Sequence, residues 1–136
     1  MAEQVIAGYA RSVLTNHVAD VATSDRHTVK PWLSSKLAFS PAVADLGAAG
    51  FPLIGGRIDY LDNRPVAALV YGHRQHLINL FVWPDQKSDR TTRMQTSSQQ
   101  GYHLLHWSDA GMRYWIVSDA SPADIRTFAE AYAGVK

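Results

Sequence analysis

The segment Phe51–Pro84 constrains the fold more than any other part of the chain, because it contains three predicted strands joined by short turns. Arg57–Leu61 alternates between polar and apolar side chains, as a strand with one buried face does. Val66–Tyr71 is apolar at every position, and His76–Trp83 is apolar over most of its length. A strand that is apolar on both faces belongs inside a sheet. The segment therefore predicts the centre of a small antiparallel sheet.

Helices are predicted before and after these strands. Glu3–Ala22 repeats apolar residues at helical spacing, and Pro41–Ala49 follows a serine of the kind that caps a short helix. A second hairpin, Gly101–Val117, adds two strands, and the pair Ser121-Pro122 is typical of the start of a last helix. This order predicts an α+β domain. Its antiparallel sheet has about five strands, and its N- and C-terminal helices pack on one side.

Two segments are predicted to lack regular structure. His27–Phe39 contains Pro31, which disfavours the helical conformation at Lys30, so this segment is expected to be irregular or only briefly helical. The region of residues 85–99 is polar and poor in large apolar side chains, and we predict a mobile loop there. With no linker elsewhere, the whole chain 1–136 is predicted to form a single domain.

The composition excludes several functional classes. The chain has 136 residues and a formal net charge of +1, and its basic residues form no stripe of the kind that binds nucleic acid. Its apolar runs are too short to cross a bilayer, so no direct membrane insertion is expected. It has no cysteine, which excludes disulfides, thiol nucleophiles and cysteine-ligated zinc or iron–sulfur sites.

Histidines are the candidate metal ligands. His73 and His76 are three residues apart, as are His103 and His106, and on a strand this spacing points the two rings to opposite faces. Neither pair is therefore predicted to form a local site. A site assembled across strands from His76, His103 and His106 would suit zinc or copper. The alternative is that these rings are hydrogen-bonded near the sheet surface and that the chain has no cofactor.

A second polar candidate lies near the N-terminus. His17 and Asp20 are three apart on the predicted first helix, and His27 follows it. A His–Asp pair can orient an imidazole for base catalysis or metal ligation, but it is more often a local salt bridge. The sequence has no nucleophile-elbow or phosphate-loop motif, and Gly55-Gly56 is expected to permit a β-bulge or a positive φ at the start of the first strand. No catalytic residue is predicted, and we expect a protein that is not an enzyme.

Several blocks of the chain, taken in order, carry a family resemblance. They are SDRHTVKPW (Ser24–Trp32), FSP (Phe39–Pro41), FPLIGGRIDYLDNRPVAALVY and HLINLFVWP within Phe51–Pro84, GYHLLHW (Gly101–Trp107) and MRYWIVSD (Met112–Asp119). This series resembles the extracytoplasmic domain of bacterial transmembrane anti-sigma factors. The blocks extend over most of the chain.

The resemblance implies a role in signal transduction and transcription regulation. In such regulators a cytoplasmic segment sequesters an alternative sigma factor, one transmembrane helix follows, and the outer domain senses or transmits a signal. This chain has no cysteine-containing zinc motif and no membrane helix, so it corresponds to the outer domain alone. The resemblance therefore implies a periplasmic sensor domain, with a sigma factor bound only through a cytoplasmic segment that this sequence lacks.

Other interpretations remain open from the residues themselves. If the chain is encoded alone, the expected compartment is the cytoplasm. A stand-alone protein that binds a metal or small molecule through its strand histidines is the main alternative. A third is a scaffold whose sheet edge pairs with a protein partner or with a second copy of itself.

Overall fold

The computed structural model describes residues 1–85 and 91–135. The helices are α1 (Ala2–Leu14), α2 (Arg26–Lys36) and α3 (Pro122–Val135), with one 3₁₀ turn at Gly47–Ala49. The strands are β1 (Val21–Ala22), β2 (Leu53–Leu61), β3 (Arg64–His73), β4 (His76–Pro84), β5 (Gln95–Gln99), β6 (Tyr102–Asp109) and β7 (Met112–Ser118). The described strands form one sheet in the order β1-β2-β3-β4-β7-β6-β5, and every neighbouring pair is antiparallel. The predicted α+β class is confirmed.

The predicted hairpins form the middle of the sheet. Val66–Tyr71 is at most 1% exposed at every position and has a strand on either side. The turn between β2 and β3 is made by Asp62 and Asn63, both with positive φ (51° and 60°), as a two-residue hairpin requires. The register between β2 and β3 shifts between Leu53 and Gly55, which confirms the predicted bulge.

The described sheet has seven strands where about five were predicted. The prediction missed β1, which is only two residues long, and β5, which lies within the segment predicted as a loop. The sequence of β5, QTSSQ, has no apolar alternation because four of its five residues are exposed at the edge of the sheet. The mobile-loop prediction is therefore wrong for Gln95–Gln99, and residues 86–90 lie outside the described part of the chain.

Three helix predictions also need correction. The first helix ends at Leu14, because Asn16 adopts a φ of 54° and the His17 N–H donates to Ser12 O at 2.9 Å. This is the left-handed helix ending that asparagine tolerates. Conversely, α2 continues through Pro31, since burial of two apolar side chains compensates for one missing backbone donor. In the range predicted as Pro41–Ala49, only the last three residues are helical.

The N- and C-terminal helices lie on opposite faces of the sheet, which corrects the prediction that they share one side. On one face α1 packs against the sheet through Val5, Ile6, Tyr9, Ala68, Phe81, Trp115 and Val117. On the other face α2 and α3 pack through Leu33, Phe128, Tyr132, Leu69, Tyr71, Leu80 and Ile116. The central strands are apolar on both faces, so each face needs a helical cover. The periodicity of a helix does not indicate which face it covers.

Candidate functional site

The structure places His73 and His76 on the same face of the sheet, as direct partners across the β3–β4 turn. The prediction that they point to opposite faces is wrong, because the alternation rule applies within one strand and not across a hairpin turn. The His73 Nδ1–H donates to Gly50 O at 2.9 Å, and its Nε2 lies 3.5 Å from Asp124 Oδ2. The His76 Nδ1–H donates to Asp119 Oδ1 at 3.0 Å. Both rings therefore connect the hairpin to neighbouring segments.

The three predicted metal ligands are not brought to one place. His103 and His106 occupy positions of opposite parity on β6 and face opposite sides of the sheet. The His106 ring stacks on Trp115, with centroids 4.1 Å apart, and His103 Nδ1 lies 2.7 Å from Ser98 Oγ. Within residues 1–85 and 91–135, no group of three or more His, Asp or Glu side chains is arranged to hold a metal ion.

The burial of His106 predicts a pH dependence of stability. Burial lowers its pKa, and the positive charge of Arg113 acts in the same direction. The unfolded chain therefore binds this proton more readily than the folded chain does. The contribution of His106 to the free energy of unfolding is fully present above the ordinary pKa of about 6.5 and decreases as the pH drops below it. We expect wild type to lose more unfolding free energy than His106→Phe, which keeps the stacking, between about pH 7.5 and about pH 5. Urea titrations at both pH values measure this, and equal losses in the two proteins would contradict it.

The second predicted site is only partly assembled. His17 Nε2 lies 2.6 Å from Asp20 Oδ1, as predicted for the pair, although both residues follow the end of α1. The other carboxylate oxygen of Asp20 accepts the Ile58 backbone N–H at 2.8 Å. Among the described residues the His27 ring has no hydrogen-bond or ion-pair partner, so it does not complete a triad. Asp20 thus caps the outer edge of β2.

A buried ion pair beneath α1 is the polar centre that sequence reasoning missed. Arg57 and Asp59 are only 3% and 8% exposed, and Arg57 Nη2 lies 3.2 Å from Asp59 Oδ2. The alternation along the strand puts Arg57 and Asp59 on one face and Ile58 and Tyr60 on the other. It gives no reason to expect the charged face to be buried. Tyr60 is 64% exposed, so β2 buries its charged face, which is the reverse of what its alternation predicts.

Both members of this pair also contact α1. Arg57 Nη2 donates to Gly8 O at 3.4 Å, and Arg11 Nη2 donates to Asp59 Oδ1 at 3.1 Å. A Cβ at Gly8 would lie 3.0 Å from Asp59 Oδ2 and 3.3 Å from the Phe81 ring, so glycine allows the helix to approach this closely. The pair therefore joins the helix to the sheet where Gly8 allows the two to approach closely.

The electrostatics of the pair make it sensitive to the loss of either member. Burial lowers the pKa of Arg57, whereas the Asp59 carboxylate opposes this shift by charge and hydrogen bonding. An arginine guanidinium stays protonated under such conditions. Removal of Asp59 would therefore leave a buried, uncompensated positive charge. The position of α1 on the sheet depends on this compensation.

Two concave surfaces lie beside α1 and at the far end of β4. A cleft of about 550 Å³ opens over the ion pair and is lined by Gly8, Arg11, Ser12, Thr15, His17, Arg57, Ile58, Asp59 and Tyr60. A groove of about 720 Å³ is lined by Leu37, Ala38, Phe39, Asp62, Arg64, Pro65, Trp83, Pro84 and Asp85. The cleft gives solvent a route to the buried charges.

Comparison of the chain with models of protein families, with curated proteins and with solved structures finds no match. None of the helices in the described ranges has the length and apolar character needed to span a membrane. Arguments about function therefore rest on the residues, their geometry and the sequence blocks described above.

Proposed function

We propose that this chain is the periplasmic sensory domain of a transmembrane anti-sigma factor, with no enzymatic role. In this proposal α1 is the element that relays the signal, and the sheet with α2 and α3 is the rigid scaffold. A sigma factor is contacted only by a cytoplasmic segment that this sequence does not include. The relay alters how strongly that segment sequesters the sigma factor.

The observation that carries the proposal is the polar attachment of α1. Among the described helices, α1 is the one on its face of the sheet, and its apolar packing is joined there by the contacts of Arg57 and Asp59 with Gly8 and Arg11. Near its start, the Gln4 side chain exchanges two hydrogen bonds with Asp62, at 2.6 and 2.7 Å. In addition to apolar packing through Val5, Ile6 and Tyr9, α1 therefore has a buried ion pair beneath it, whereas α2 and α3 cover the other face with apolar side chains.

Such an attachment favours two discrete states. Docked, the two buried charges compensate each other; undocked, water reaches them through the cleft and hydrates both. In intermediate positions of α1, a charge has neither water nor its partner. These positions are therefore higher in free energy than either end state. A ligand or partner that binds one state better shifts the balance between the two. A helix with two positions is a suitable output element for a sensor.

The experiment deletes the part of the gene that encodes this domain and measures transcript levels. In the bacterium that encodes this chain, we expect in-frame deletion of residues 1–136 to change one set of transcripts that share a promoter motif. Asp59→Asn should shift the same set in the same direction, since it weakens α1 docking. Asp119→Asn, which removes an exposed partner of His76, is the matched control and should leave the set unchanged. Unchanged transcripts after the deletion would overturn the proposal.

A further inference from the structure

The two edges of the sheet are protected very differently. Along the outer edge of β2, three backbone N–H groups that could bind another strand are occupied by side chains. The pairs are Ile58 N–H with Asp20 Oδ2 at 2.8 Å, Tyr60 N–H with Asp59 Oδ1 at 2.8 Å and Asp62 N–H with Gln4 Oε1 at 2.7 Å. With β1 covering the first part of β2, this edge cannot accept a further strand.

The opposite edge, β5, has no such protection. The two-residue turn at Gln100-Gly101 makes Gln99 and Tyr102 a hydrogen-bonded pair, so the backbone groups of Thr96 and Ser98 point away from β6. Within the described part of the chain, no hydrogen bond reaches these outward groups. The strand also lacks the charges and prolines that usually block an edge.

We infer that β5 is the interface for a second copy of this chain, paired antiparallel about a twofold axis at Ser97. The order Gln-Thr-Ser-Ser-Gln is nearly the same in both directions, so Thr96 meets Ser98 of the second copy and each outward N–H finds a carbonyl. The two central Ser97 side chains then face each other at a closely spaced, non-hydrogen-bonded pair.

The chemistry of the strand favours self-pairing over a charged peptide. All five residues are uncharged, so two copies meet without repulsion, and a charged partner strand finds no complementary charge in β5 itself. On the α3 face, a depression of about 160 Å³ beside the strand leaves room for side chains of the added strand. It is lined by Thr96, Ser97, Ser98, His103, Leu104, Pro122 and Ile125. This inference does not depend on the proposed sensory role.

The test is the oligomeric state of the whole chain, measured by sedimentation equilibrium from micromolar to millimolar concentrations. We expect a monomer–dimer equilibrium in wild type. Ser97→Lys and Ser97→Glu should each weaken it several-fold, because like charges then face each other across the axis. An equimolar mixture of the two variants should regain the dimer, which also shows that both are folded.

Ser24→Lys adds the same charge at an exposed serine just after β1, at the opposite end of the sheet from β5, and should dimerise as wild type does. A wild type that stays monomeric at every concentration would overturn the inference. So would a Ser97→Lys dimer as tight as wild type, or a mixture that fails to regain affinity.

Discussion

Asp59→Asn is expected to lower the free energy of unfolding by about 3–5 kcal/mol, the cost of leaving a buried charge without its partner. The variant keeps the shape of the side chain but removes the charge that faces Arg57 at 3.2 Å and Arg11 at 3.1 Å. Urea unfolding followed by tryptophan fluorescence measures the loss. A loss below about 1 kcal/mol would show that the pair is not compensated as the geometry indicates.

Two controls separate charge from packing in this prediction. Asp119→Asn removes a carboxylate that is 53% exposed and pairs with His76, and it should change stability by less than about 0.5 kcal/mol. The double variant Arg57→Met with Asp59→Leu replaces both charges by apolar groups and should regain much of the stability lost by Asp59→Asn. A double variant less stable than the single one would indicate that shape, not charge, dominates at this position.

Gly55→Ala is the second change with a large expected effect. A Cβ at this position would overlap the backbone carbonyl oxygen of Val21 and would lie 3.0 Å from Ala19 Cβ. Backbone cannot move aside as a flexible side chain does, so β1 would separate from the bulge in β2. We expect a loss of at least about 2 kcal/mol in unfolding free energy, measured in the same urea titration.

Gly134→Ala is the matched control for this substitution. Apart from its chain neighbours and the backbone of its own helix, no atom of the described residues lies within 4 Å of a Cβ built there, and the residue belongs to α3. Alanine favours a helix over glycine, so the variant should be unchanged or more stable by up to about 1 kcal/mol. Equal effects of the two glycine substitutions would contradict the close approach of β1 to Gly55.

The sequence predicted the parts of the fold that depend on local pattern. The short turn between the first two predicted strands and the buried strand Val66–Tyr71 follow from short-range chemistry, and the structure has the turn at Asp62-Asn63. The last helix begins after Ser121, whose Oγ accepts the Asp124 N–H at 3.2 Å, as its sequence indicated. In each case the signal lies within a few residues of the feature.

The parts that failed depend on tertiary contacts. Edge strand β5 carries no apolar pattern because it is exposed, and it forms through pairing with β6. The burial of Arg57 and Asp59 follows from where α1 docks, and helical periodicity does not specify a face. The grouping of His76, His103 and His106 failed because register and strand parity separate them. The end of α1 at Asn16, by contrast, is a local feature that the helical periodicity of Glu3–Ala22 did not show.

The most direct test of the central claim is native-state hydrogen exchange of α1 in the wild-type chain. If α1 is a separately releasable element, its amides should exchange through an opening of lower free energy than the amides of β3, β4 and β7. Asp59→Asn should lower that opening energy further and leave the strands protected. Exchange of α1 only together with the strands, at the same free energy, would contradict the account.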